Sequence, residues 1–250
     1  MRIIDKNHVI EAFREYVSAY NPEDPKIRLK IDHTYRVAGL CGRIAASCGA
    51  EEALSWLCGM LHDIGRFEQV RRFHTFVDAE SVDHAELSHA LLFKDGLLRR
   101  FAPDLEEREK GILEKAVLYH SLYRLPEDLT EEERQYCQIL RDADKIDIFR
   151  VQCDTPPEQI YNVTTEALET AGVTEAVKQC FLNRTAVRRD LRKTEIDYLV
   201  GHVCLVFELV WPLSREIARE QGYVDRILSF RSRNPDTAAW FQYMREHIWE

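Results

Sequence analysis

Apolar residues return at intervals of three and four along almost all of this 250-residue chain, and no stretch alternates apolar with polar like a half-buried strand. No Asn-Gly hairpin signal interrupts the pattern. Such a chain buries its apolar side by stacking helix on helix, so an all-α fold is predicted. The periodicity places helices over about 5–20, 27–48, 51–63, 84–100, 104–122, 131–150, 157–171, 173–183, 184–193, 195–217 and 236–249. NPEDP at 21–25 and LPED at 125–128 break the pattern, and the paired prolines of CDTPPEQ at 153–159 mark an internal boundary. Residues 64–82 read as a long connection, the kind of segment that carries binding residues. The expected organisation is a single domain over 1–250, with a core over about 27–150 and C-terminal helices over about 157–250 packed on it.

Charge narrows the partners. A net charge of −9 disfavours a broad nucleic-acid surface or an anionic membrane. It leaves room for a small phosphorylated molecule in a cleft whose field is reversed by a metal or a few basic side chains. The seven cysteines lack C-x-x-C spacing and sit in apolar helical contexts, so they read as reduced core residues of a cytoplasmic protein. The opening MRIIDKNHVIEAFREYV turns charged at once, unlike a secretory leader. The longest apolar run, Tyr198–Trp211, is too short to span a bilayer and carries His202 and Glu208. It reads as a core helix, or as the interface of a homodimer.

Several polar residues sit where helical patterning buries side chains. His33 shares a face with Leu29, Val37, Leu40 and Ile44, and His120 with Leu113, Ala116 and Val117. Asp144 shares one with Tyr136, Cys137 and Leu140, while Asp142 points about 160° away. His84 follows Asp83, which with Glu86 makes a capping box. His62 and Asp63 end the greasy Ala53–Leu61 helix, with Gly65 expected to terminate it. A lone histidine on an apolar face is usually a core residue bonded to a carbonyl, and a lone aspartate usually pairs with a nearby base. Six such groups aimed inward from five helices are harder to satisfy one by one, because each buried polar group without a partner costs about 1–3 kcal/mol. One divalent cation, or two, satisfies all six. His89 reads as peripheral and His202 as core.

The ordered set His33, His62-Asp63, His84, His120 and Asp144 resembles the HD superfamily of metal-dependent phosphohydrolases. LHDIGRFEQ resembles the HD-I-G-R-F variant of small bacterial HD-domain hydrolases, and VDHAELSHALL, VLYHSLYRLPEDL and LRDADKIDIFR resemble their later motifs. Val206–Tyr223 resembles their C-terminal helices, so the likeness covers most of 27–223. It implies an HD-domain helical fold with a C-terminal helical extension. It implies hydrolysis of a small phosphorylated substrate (phosphomonoester, phosphodiester or nucleotide) through a metal-activated water. It also implies that His33, His62, Asp63 and Asp144 hold a first ion and that Asp63 bridges to a second, completed by His84 and His120. One or two divalent ions are expected, from Mn, Fe, Ni, Co, Zn or Mg. Imidazole with carboxylate suits such cations, and the lack of thiolates argues against a structural zinc cage.

Asp63 is joined in the expected catalytic set by Arg66 and Lys145, which follow the HDIG turn and Asp144 closely enough to reach a bound phosphate. Arg66, Arg71, Arg72, His74 and Thr75 of the 64–82 connection are expected to contact substrate. Cyclic-dinucleotide phosphodiesterases of the HD-GYP type place a second histidine and Gly-Tyr-Pro where this chain has HSLYRLP, which argues against that activity. Two further readings share the ligand set: a di-iron oxygenase, and a metal-containing regulatory module without catalysis.

Overall fold

In a computed structural model that describes residues 4–156 and 163–250, every regular element is helical and no strand is present among the described residues. Two compact units divide the chain, Met1–Asp144 and Lys145–Glu250.

The first unit is organised by α2 (Pro25–Cys48). Asp24 accepts the Lys26 N–H at its start, Pro25 supplies a pre-set φ at the first position, and Gly49 ends it in the left-handed region at φ 74°. Helix α3 (Glu52–Leu61) lies against α2 with no room between backbones. A Cβ on Gly59 would fall 2.6 Å from the Ala38 Cα, so only glycine permits this crossing. Helix α1 (Lys6–Val17) is pinned by Phe13, whose ring meets Tyr35 at 5.4 Å and Phe67 at 5.8 Å.

The segment 64–82, expected as a connection, begins with a helix, α4 (Ile64–Phe73). Ile64, Phe67 and Val70 recur at three-residue spacing and are buried, a stripe that the intervening charges disguise in sequence. His74 closes α4 at φ 58°. Gly65 does not terminate α3 as expected; it lies inside α4, where a Cβ would meet the Ser88 backbone nitrogen at 2.6 Å. It therefore sets the close approach to α5 (His84–His89), and its N–H donates to Ser88 Oγ at 2.9 Å.

The helix expected over 84–100 is broken. After α5 come a π-turn at Ala90–Lys94, Gly96 at φ 78° and α6 (Leu98–Phe101). Helices α7 (Glu107–Tyr119) and α8 (Glu131–Asp154) complete the core, with Leu113, Val117, Leu140 and Ala143 fully buried.

The second unit carries α9 (Thr165–Thr170), α10 (Glu175–Leu182), α11 (Glu195–Val203), α12 (Pro212–Gln221), α13 (Tyr223–Leu228) and α14 (Pro235–His247). Part of the expected 157–171 helix, residues 157–162, lies outside the described residues. The expected 184–193 helix reduces to a 3-10 turn at Arg189–Leu191, after Arg184 at φ 53° and an extended Arg188 at ψ 145°. The expected 195–217 helix splits before Pro212, which lacks the N–H needed to continue it. Asp197, buried within this unit, accepts from the backbone of Thr174, Lys193 and Thr194 and from the Thr174 hydroxyl. Among the described residues no helix is long and apolar enough to cross a membrane.

Candidate metal centre

The two glycine contacts bring the histidines together. Gly59 against Ala38 sets His33, on α2, beside His62 at the end of α3, and their ring centres are 5.3 Å apart. Gly65 against Ser88 draws α5 in, so that His84 faces His120, the cap of α7, at 5.0 Å between rings. The chain between α3 and α4 turns at Asp63 (φ −107°, ψ 19°), which points its carboxylate into the middle of the group.

That carboxylate divides the histidines two and two. Oδ2 lies 3.6 Å from His33 Nε2 and 3.4 Å from His62 Nε2, while Oδ1 lies 3.7 Å from His84 Nε2 and 3.6 Å from His120 Nε2. Asp144, on α8, joins the first pair, with Oδ1 at 3.2 Å from His33 Nε2 and 3.9 Å from His62 Nε2. All six side chains singled out in sequence thus meet in one pocket of the first unit, and five of them are buried below 5% exposure, leaving Asp144 at 16%.

Hydrogen bonds fix the protons. His62 Nδ1 donates to the Gly59 carbonyl at 2.8 Å and His120 Nδ1 to the Val117 carbonyl at 2.7 Å. His84 Nδ1 donates to Asp78 Oδ2 at 2.8 Å. A carbonyl only accepts, so in the neutral ring each Nδ1 carries the hydrogen and each Nε2 presents a lone pair. Burial first, then the Arg66 guanidinium, pushes the His84 imidazole down to about 4, so the ring is neutral at pH 7. His84 Nε2 and His120 Nε2 face each other 3.1 Å apart. His62 Nε2 and Asp63 Oδ1 are buried with no hydrogen-bond partner. Orphaned acceptors facing one another are what a cation between them would satisfy. Two triads, His33–His62–Asp144 and His62–Asp63–His120, each bring one ligand atom per residue within 4.8 Å of the others, and both can hold a metal ion.

The carboxylates are held ionised. Burial would push both up, but the Lys30 ammonium keeps Asp63 well below the usual range, and the hydrogen bond with His33 does the same for Asp144. Thiols take no part. Burial pushes Cys58 and Cys41 above the ordinary thiol value, and all seven cysteines are free.

Other expected residues are distributed differently. Arg66 turns inward, where Nη1 donates to Gln69 Oε1 at 2.6 Å, the Phe76 carbonyl at 2.8 Å and Asp78 Oδ1 at 2.9 Å. It thereby ties down the loop after α4 and the carboxylate that orients His84. Arg71 and Arg72 both pair with Glu68, three and four residues back, and line a cavity of about 350 Å³ that none of the six histidines and aspartates lines. Helical geometry is the reason, since positions 68, 71 and 72 share a face of α4. His74 is exposed as the cap of α4, and Thr75 Oγ1 accepts the Val77 N–H in the following turn. Lys145 opens the second unit and is buried. Peripheral His89 pairs with Glu114 at 2.8 Å. Lys30 was not signalled by sequence. It lies one helical turn before His33, and its ammonium sits 2.6 Å from Asp63 Oδ2.

The HD domain family model matches residues 31–148, a span that includes all six of these residues. Over these residues the chain is similar to the HD domain family. The matched span takes in most of the first unit and runs along α8 from its start to Ile148. A crystal structure of a predicted HD superfamily hydrolase from an uncultured Thermotogales bacterium is similar at 20% identity and a TM-score of 0.47, over 91% of this chain and 94% of that one. No curated protein matches the sequence.

Proposed function

We propose that this protein is an HD-domain, dinuclear metal-dependent phosphohydrolase acting on a small phosphorylated molecule. The supporting observation is the two-and-two division of histidines about the Asp63 carboxylate, with His84 Nε2 and His120 Nε2 turned toward each other. His33, His62, Asp144 and Asp63 Oδ2 would hold one divalent ion, and His84, His120 and Asp63 Oδ1 the other. Ions held there would lower the pKa of coordinated water toward about 7 and screen the charge of a phosphoryl group. The chain supplies the rest. The Gly59 and Val117 carbonyls and the Asp78 carboxylate hold the rings in the tautomer that ligates. Arg66 braces the Phe76–Asp78 turn, and its Nε lies 3.8 Å from Asp63 Oδ1.

Metal content decides the first half of this reading and turnover the second. Purified protein is expected to carry up to two divalent ions and to release phosphate or a nucleoside from at least one member of a phosphomonoester, phosphodiester and nucleotide panel with Mn²⁺, Fe²⁺, Co²⁺ or Ni²⁺. Asp63→Ala should lose both metal and turnover, the latter at least about a hundredfold. Oxygen consumption by the iron form without phosphate release would replace the hydrolase with a di-iron oxygenase on the same ligands. A metal-replete protein inert in both assays would favour a regulatory module.

A further inference from the structure

Lys30 stands apart from the six candidate ligands, yet its ammonium reaches the carboxylate at their centre. Its side chain is 14% exposed, and its ammonium makes the 2.6 Å pair with Asp63 Oδ2 while packing 5.5 Å from the centre of the Phe76 ring. Asp63 Oδ2 is also the oxygen that faces His33 and His62. An ammonium and a divalent cation held by His33 and His62 would therefore compete for one carboxylate oxygen, in a pocket where like charges are poorly screened. Lysine suits an exchange, being a compact charge on a flexible stem of four carbons. The half-buried Phe76 ring, with the Arg66 guanidinium 5.6 Å from its centre, offers the ammonium a second resting place beside the pocket.

We infer that Lys30 is a tethered cation that trades places with a metal ion at Asp63 Oδ2 and, once displaced, receives the anionic group of the substrate. The exchange would keep the Asp63 carboxylate paired before metal arrives and place a positive charge where a phosphoryl oxygen needs one afterwards. This rests on the phosphohydrolase reading, but its test separates the two.

In the wild-type protein, labelling of Lys30 by an amine-reactive ester, read by peptide mass spectrometry, is expected to be slow in EDTA. It should become several-fold faster in saturating Mn²⁺ and slow again when inorganic phosphate is added to the Mn²⁺ protein. Calorimetric titration with Mn²⁺ is expected to show Lys30→Met binding an ion about tenfold more tightly than wild type, the scale of removing one nearby unit charge. Lys30→Arg keeps the charge and should restore wild-type affinity to within about threefold, which a purely space-filling role would not require. Wild type that takes up no Mn²⁺ sinks the metal-centre reading itself. Uptake of Mn²⁺ with labelling unchanged, or with Lys30→Met no tighter than wild type, overturns the exchange and leaves the centre standing. Labelling that phosphate fails to slow overturns the substrate half. If Lys30→Met does not fold, the labelling series on wild type decides alone.

Discussion

At the scale of single residues, the candidate centre removes choices from its histidines. His62 and His120 give their Nδ1 hydrogens to backbone carbonyls only three residues back, a bond that the end of a helix makes available because its last carbonyls lack partners. His84 lies at the start of its helix, where no such carbonyl is in reach, and uses Asp78 instead. That carboxylate also accepts from Arg66 and Gln69, and although burial opposes it, these neighbours hold its pKa well below the ordinary range. Replacing Asp78 by Asn leaves one acceptor oxygen where His84 on one side and Arg66 with Gln69 on the other each need one. Asp78→Asn is expected to weaken the second ion by about 10–100-fold and leave the first nearly unaffected. Stepwise metal titration monitored by calorimetry checks this; equal weakening of both steps would remove Asp78 from its assigned place. The pairing of Lys30 with Asp63 belongs to the same scale, and it couples residues 33 positions apart.

At the scale of elements, two glycines do what no side chain in the pocket does. Gly59→Ala would drive a Cβ to within 2.6 Å of the Ala38 Cα and 2.8 Å of its nitrogen, both backbone atoms that cannot rotate away. The helices must part, at a cost of about 1–3 kcal/mol, or very roughly 2–4 °C of melting temperature per kcal/mol. His33 and His62 ride on the separated helices, so metal affinity should fall as well. Gly39, on the same helix α2, has nothing within 4 Å of its missing Cβ. Gly39→Ala is therefore expected to be neutral or to stabilise by up to about 1 kcal/mol through helix propensity. Thermal melts of the two variants form a matched pair, and a Gly59→Ala protein as stable as wild type would refute the close-crossing account. Sequence marked these helices well because their apolar stripes and caps are local. It misread α4, whose charged residues interrupt the stripe, and it ran α11 and α12 together, although Pro212 was visible.

At the scale of the molecule, the two units are expected to respond to different solution conditions. Metal should stabilise the first, since an ion that binds only the folded form at about a hundred times its dissociation constant adds about 2.7 kcal/mol. The second contains His202 on α11, whose imidazole is pushed down to about 3 by burial first and then by Arg192. A histidine depressed in the fold but ordinary when unfolded binds its proton preferentially in the unfolded state. Stability from this residue is thus complete above the unfolded value of about 6.5 and is lost as pH falls below it, by up to about 1.4 kcal/mol per pH unit. His202→Gln is expected to flatten the decline in denaturant midpoint between pH 6.5 and 4. A decline as steep as that of wild type would assign acid sensitivity to other groups.

The sequence by itself determined the helical architecture and the inward face of His33, His120 and Asp144, because helical periodicity and capping act within a few residues. It also showed His62-Asp63 breaking from an apolar helix and His84 behind its cap. Only tertiary structure decided which oxygen of Asp63 faces which histidines, that Lys30 reaches that carboxylate, and that Arg71 and Arg72 turn to Glu68 on another face of α4. Those outcomes depend on distances between elements far apart in the chain, set where Gly59 meets Ala38 and Gly65 meets Ser88. No local pattern encodes a contact between backbones until the helices have packed.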